Sequence, residues 1–202
     1  MRWDNLFDDL EGQLEQELDA EELDLQAEEE RLRLGRLSLR DRLLAIHETD
    51  PGASIRLVLA DGDTLSVHPA TIGRDWMSGD LLDGSTRRAQ CLLPVAAISS
   101  LLLTPEQVTD SLEATDAAAS DHGLSGRLGL GFVLRDLCRR RRAVDLRLAG
   151  TTPGGVTLHG TIDRVGRDHL DIAVHEADSP RRRTAVTQYR VVPLAQLLVV
   201  RL

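Results

Sequence analysis

Apolar positions follow two different periods along the chain. Over the first fifty residues they recur at three- and four-residue steps, as in Trp3, Leu6, Phe7, Leu10 and Leu14, and then on a seven-residue ladder of Leu18, Leu25, Leu32, Leu39 and Ile46. This predicts a long helix with one apolar face, interrupted near Gly35. The companion ladder positions, Glu29 and Arg36, are charged, so the pattern makes a poor stand-alone coiled coil, and its second part is expected to pack on the domain that follows. From Ile55 onward the period becomes two: Ile55, Leu57 and Leu59; Leu146 and Leu148; Val156, Leu158 and Ile162; Leu170, Ile172 and Val174. Asp61-Gly62, Pro153-Gly154-Gly155 and Val165-Gly166-Arg167 separate these strands with turn-forming residues. A one-turn helix is expected after Pro94 and again after Pro193, each followed by a final strand.

Self-comparison shows that the strand-forming region is repeated. "GDTLSVHPATIGRDW" (62–76) aligns without gaps with "GVTLHGTIDRVGRDH" (155–169), with six identities in fifteen positions that include a shared Gly-Arg-Asp. "LLPVAAISSLLL" (92–103) matches "VVPLAQLLVVRL" (191–202), and "LRDRLL" (39–44) matches "LRDLCR" (134–139). The expected organisation is a helical arm over 1–35, a first helix-plus-strands repeat over 36–103, a small, polar, Ala-rich linker over 104–125 with about one helical turn, and a second repeat over 126–202.

A helix, five short bent strands and a tight turn before the fifth strand resemble the Sm-like small β-barrel, and "GVTLHGTIDRVGRDHLDIAV" (155–174) is similar to its first motif. The resemblance implies an α+β, mostly β fold: an N-terminal helical arm and two closed helix-plus-five-strand barrels. It covers each repeat and does not bring a base-binding pocket with it. Where RNA-binding members of that family place Asp and Asn, this chain has Arg167 and Asp171, or Arg74 and Ser78. Where they place Arg-Gly, it has Val192-Pro193 and Leu93-Pro94. The opening "MRWDNLFDDLEGQLEQEL" followed by such repeats is also similar to an uncharacterised family of actinobacterial proteins, a likeness that implies no activity.

Composition narrows the functional classes. Only five aromatic residues occur (Trp3, Phe7, Trp76, Phe132, Tyr189), which leaves few stacking platforms for bases or sugars. All 24 basic residues are Arg. The net charge of −9 conceals a gradient: residues 1–50 carry 16 acids and 6 Arg, whereas 120–202 carry 8 acids and 14 Arg. The C-terminal portion is therefore suited to a polyanion and the arm is not. No apolar run reaches the ~20 residues needed to cross a bilayer. The acidic start also differs from a secretory leader, so a cytoplasmic location is expected. Cys91 and Cys138, far apart and in no Cys-x-x-Cys spacing, point to two reduced thiols rather than a disulfide or a thiolate metal site.

Three sets of residues carry candidate chemistry. His159, His169, Asp171 and His175 have the parity to share an outer strand face. The matched positions in the first repeat are Ser66, Trp76 and Ser78, so the cluster does not belong to the repeating module, and no metal site is expected from it. No nucleophile elbow or phosphate-binding glycine loop is present, and Gly129 and Gly131 fit a helix start; an enzyme is not expected, nor a cofactor. The third set is Arg139, Arg140, Arg141 and Arg142 at the end of the second helix, Arg164 and Arg167 around a turn, and Arg181, Arg182 and Arg183 in the next long loop. Apart from Arg167, which Arg74 matches, these arginines are absent from equivalent places in the first repeat, and on a common face the nine would attract phosphate. The leading expectation is a non-enzymatic protein whose second repeat contacts RNA or a nucleoprotein complex. The alternative is a protein-protein adaptor or homodimer acting through Trp3, Leu6, Phe7, Leu10 and Leu14 of the acidic arm.

Overall fold

The computed structural model describes residues 21–82, 89–113, 123–150, 155–177 and 182–202. The chain divides into two compact units, Met1–Ser38 and Leu39–Leu202. In the first, helix α1 runs over 21–36. Its Glu, Leu, Ala and Arg residues are strong helix formers, and ion pairs Glu28–Arg31 at 3.3 Å and Glu30–Arg33 at 2.7 Å link positions three residues apart. The ladder residues Leu25 and Leu32 are exposed on this helix. Trp3, Leu6, Phe7, Leu10 and Leu14 lie outside the described residues.

The second unit contains, in chain order, α2 (Leu39–Thr49), β1 (Ile55–Leu59), β2 (Thr64–Ile72), β3 (Trp76–Leu81), β4 (Ala89–Pro94), β5 (Ile98–Leu102), α3 (Pro105–Leu112), α4 (Gly123–Arg127), α5 (Leu130–Arg140), β6 (Ala143–Leu148), β7 (Val156–Val165), β8 (His169–Val174), β9 (Gln188–Pro193) and β10 (Leu197–Arg201). The strands form a single ten-stranded sheet in the order β5-β1-β2-β3-β4-β10-β6-β7-β8-β9. Every pairing is antiparallel.

This corrects the expectation of two closed five-strand barrels. Each half places its strands in the same order, fifth-first-second-third-fourth, but neither closes on itself. Instead β4 pairs with β10, Leu92 opposite Val200 and Cys91 opposite Arg201, so the fourth strand of one half is joined to the fifth strand of the other. Period-two patterning identifies strands and their buried faces; it carries no information on which partner an apolar fourth strand will take.

Within that sheet several contacts of the repeat recur in both halves. Arg40 donates to Gly73 O at 2.7 Å, and Arg135 to Gly166 O at 3.3 Å, so each helix is tied to the Gly-Arg-Asp turn of its own half. Gly73 N–H bonds Trp76 O and Gly166 N–H bonds His169 O, both at 2.8 Å; Val95 N–H reaches Asp75 O at 3.0 Å and Leu194 N–H reaches Asp168 O at 2.7 Å. The one-turn helices after Pro94 and Pro193 are 3-10 turns, Val95–Ala97 and Leu194–Gln196. Bulges fall at matched places, between Pro69 and Thr71 and between Ile162 and Arg164, where they bend the longest strand of each half. Thr104–Leu112 does not fit the expected single turn. A capping box, Thr104 with Gln107, starts α3, which packs on α2 through Ser111 and Arg42 at 2.8 Å.

Two apolar clusters make the core, and the halves contribute to both. Leu43, Ile46, Ile55, Leu57, Met77 and Leu93 are joined by Leu198 and Val199 of β10. Leu134, Leu146, Ile162, Leu170 and Ile172 are joined by Trp76 and Leu92 of the first half. A buried ion pair adds to this: Arg147 on β6 reaches Asp61 in the β1–β2 turn at 2.6 Å and also Asp63, and the Asp61 carboxylate is fully buried.

Candidate nucleic-acid interface

The last turn of α5 and the strands β7 to β9 frame a cleft of about 490 Å³. Three arginines line it, each from a different element. Arg141 is the C-cap of α5 and sits in the left-handed region, φ 51° and ψ 36°. Arg164 stands just past the bulge in β7, 3.8 Å from Asp171. Arg190 lies on β9 and donates to Gln188 Oε1 at 2.8 Å. Asp163, Asp171, Tyr189 and Val191 also line it. Tyr189 is 62% exposed and Val191 68%, a large apolar exposure for one short strand.

Of the nine arginines singled out by sequence, the cleft gathers Arg141 and Arg164. Arg139 and Arg140 instead converge on Asp136 one turn back, at 2.5 and 2.6 Å. Partial burial works against the Asp136 charge, yet the hydrogen bonds from those two arginines hold its carboxyl below the usual range. Arg142, Arg167, Arg182 and Arg183 are exposed and do not line the cleft; Arg181 lies outside the described residues. Sequence reading missed Arg190 and Tyr189. The available signal was the mismatch between β4, with buried Cys91 and Leu92, and its counterpart in β9, Arg190 and Val191.

The histidines take separate roles. His159 pairs with Asp145 at 2.6 Å, and its ring stands edge-on to His175 at 5.3 Å. His175 is not on the outer face that alternation implied. It is 4% exposed, held between Thr161 Oγ1 and Glu176 O at 2.9 Å each, because β8 has ended by Val174 and the chain turns inward. His169 pairs with Asp168 at 2.8 Å in the β7–β8 turn, and that hydrogen bond lowers the Asp168 carboxyl from its ordinary value. Among the described residues no group of three or more His, Cys, Asp or Glu is arranged to hold a metal ion.

Two further features bear on chemistry. Cys91 is buried between β3 and β10, and desolvation pushes its thiol up to about 11. Cys138 is partly accessible and lines the arginine cleft, with no His or Ser beside it among the lining residues. No helix among the described residues is long and apolar enough to cross a membrane. No protein-family model, no curated protein and no solved structure matches the chain.

Proposed function

We propose that the chain is a non-enzymatic cytoplasmic interaction protein that holds the phosphate backbone of RNA in the cleft between α5 and β7–β9. The observation that carries this reading is the convergence of Arg141, Arg164 and Arg190 from three elements onto one concave surface. Guanidinium groups donate two parallel hydrogen bonds to phosphate oxygens, and the Arg164 side chain, 85% exposed with Asp171 3.8 Å away, is open to such a contact. Exposed Tyr189 offers a flat face on which a splayed base stacks, worth ~1–3 kcal/mol.

Electrophoretic mobility of labelled cellular RNA at two salt concentrations tests it. The intact protein should retard RNA at low salt and much less at high salt. Replacing Arg141, Arg164 and Arg190 together with Ala should strongly weaken the shift and lower the log–log salt slope by about 2, from roughly 0.7 per phosphate contact on a single strand. Replacing Arg182 and Arg183 should leave the shift in place. No shift at low salt, or a shift indifferent to the cleft arginines, overturns the reading.

A further inference from the structure

We propose that the cleft between α5 and β7–β9 selects guanine among the bases of single-stranded RNA, with the Asp171 carboxylate as the reading group and Tyr189 as the stacking platform. The inference rests on the RNA reading and adds to it the identity of the base.

Phosphate alone does not account for the lining. Arg141, Arg164 and Arg190 suit an anion, yet Asp163 and Asp171 line the same cleft, and a carboxylate repels phosphate. Acids kept on such a surface call for a hydrogen-bond donor in the ligand. The backbone of RNA supplies only hydroxyl donors, whereas the bases supply N–H groups.

The strands do not require these side chains either. Register places Arg164, Asp171 and Val191 in one row across β7, β8 and β9. The same row in the first half is Thr71, Ser78 and Leu92, which carries no charge. Tyr189 stands opposite Ala173 as Gln90 stands opposite Asp80, so its counterpart has no ring. One half thus builds the same strands and the same bulge from neutral residues, and the charged row of the other half is explained by a ligand rather than by the fold.

Position singles out Asp171. Its strand, β8, lies beside β9, and Tyr189 faces the residue two places further along, so the two are diagonal neighbours ~7–8 Å apart. Asp163 falls at the bulge of β7, one strand further from the ring. Tyr189 is 62% exposed and open to a base, while the Asp171 side chain, 30% exposed, sits lower in the cleft. A base laid on the ring therefore turns its edge toward Asp171. Arg164 stands 3.8 Å from that carboxylate, beyond hydrogen-bonding distance, so it supports the charge without occupying the acceptor oxygens.

A carboxylate presents two acceptors side by side and no donor. Guanine alone among the four bases carries two adjacent donors on its pairing edge, N1–H and the N2 amino group. Adenine and cytosine set one amino group beside a ring nitrogen lone pair, and uracil sets one N–H between two carbonyls. In each of these a lone pair would face the second carboxylate oxygen and be repelled by it.

Fluorescence anisotropy of labelled uridine oligonucleotides carrying a single central G, A or C, read at low salt with the full chain, tests the inference. The G oligonucleotide should bind about 5- to 100-fold more tightly than the uridine parent, the range of one bidentate base contact, and the A and C oligonucleotides should stay near the parent. Asp171→Asn keeps the shape but pairs an acceptor with a donor, the pattern that adenine matches. The guanine preference should vanish and adenine should rise above it, while binding of the uridine parent holds or tightens because a negative charge is gone. A purely structural role would weaken all four alike. Tyr189→Leu should cost the preference and Tyr189→Phe keep it. The deoxy series should show the same order, and a preference lost with the 2′-hydroxyl would put the carboxylate on ribose and overturn the proposal. A guanine preference that survives Asp171→Asn also overturns it. Equal binding of all four, still dependent on Arg141, Arg164 and Arg190, overturns the choice of guanine and leaves the RNA reading standing; binding of none overturns both.

Discussion

Arg141 holds a backbone conformation that suits glycine. A left-handed C-cap is where helices most often place Gly, and a residue with a Cβ gives up about 1 kcal/mol or more to stand there. The strain is local and sits at the mouth of the arginine cleft, which is the pattern of a residue kept for its side chain. Arg141→Gly should therefore raise stability, by up to about 1 kcal/mol in a urea titration, while weakening RNA retention. A loss of stability would show that the guanidinium anchors α5 rather than serving the cleft. The two cysteines differ in a related way. Burial raises the Cys91 thiol to about 11, so at pH 8 it stays protonated and enclosed, whereas Cys138 opens onto the cleft. A thiol reagent at pH 8 should titrate one group in the native protein and two after denaturation, and RNA should slow the native reaction. Native reactivity at both thiols would mean that the β4–β10 seam opens readily.

At the scale of elements, much was legible in sequence and one decisive thing was not. Alternation located the strands, and the Gly-Arg-Asp identity located the turn that each helix grips through Arg40 or Arg135. Those are short-range facts, set by side chains within a few residues of one another. The partner of β4 is not such a fact, since Cys91 and Leu92 would suit any apolar strand. α3 was hidden for a different reason: its helix rests on a capping box and on packing against α2, neither of which changes the polar, Ala-rich look of its segment. The arginine cleft was half legible, because runs of like charge draw attention while Arg190, alone in a strand, does not. Neither did sequence reveal the clamp of Arg147 on Asp61, elements apart and both buried. Removing one member of such a pair strands a charge in the core. Arg147→Met should cost ~3–5 kcal/mol in chemical denaturation, and adding Asp61→Asn should recover a large part of it. Equal stability of the single and double variants would mean that the loss comes from packing by the arginine stem.

For the whole unit Leu39–Leu202, the halves are expected to melt together. Each apolar cluster contains residues of the other half, Leu198 and Val199 in the first, Trp76 and Leu92 in the second. Thermal unfolding followed by far-ultraviolet dichroism, and by fluorescence of Trp76 in a Trp3→Phe background, should give coincident transitions. Two separated transitions would show that the β4–β10 seam is weaker than the halves it joins.

The place of β10 has a consequence for synthesis. It is the tenth strand to leave the ribosome and yet stands sixth across the sheet, between β4 and β6. Until it arrives, nine strands wait as two incomplete ribbons, with the apolar flanks of β4 and β6 both unpaired at once. Local contacts within each half form early, but the step that makes one molecule of them depends on the widest sequence separations in the fold, which are the slowest to close. A nascent chain of this kind is open to mispairing with its neighbours on a polysome for longer than its modest length suggests, and the same edge that joins the halves is the one on which such errors would begin.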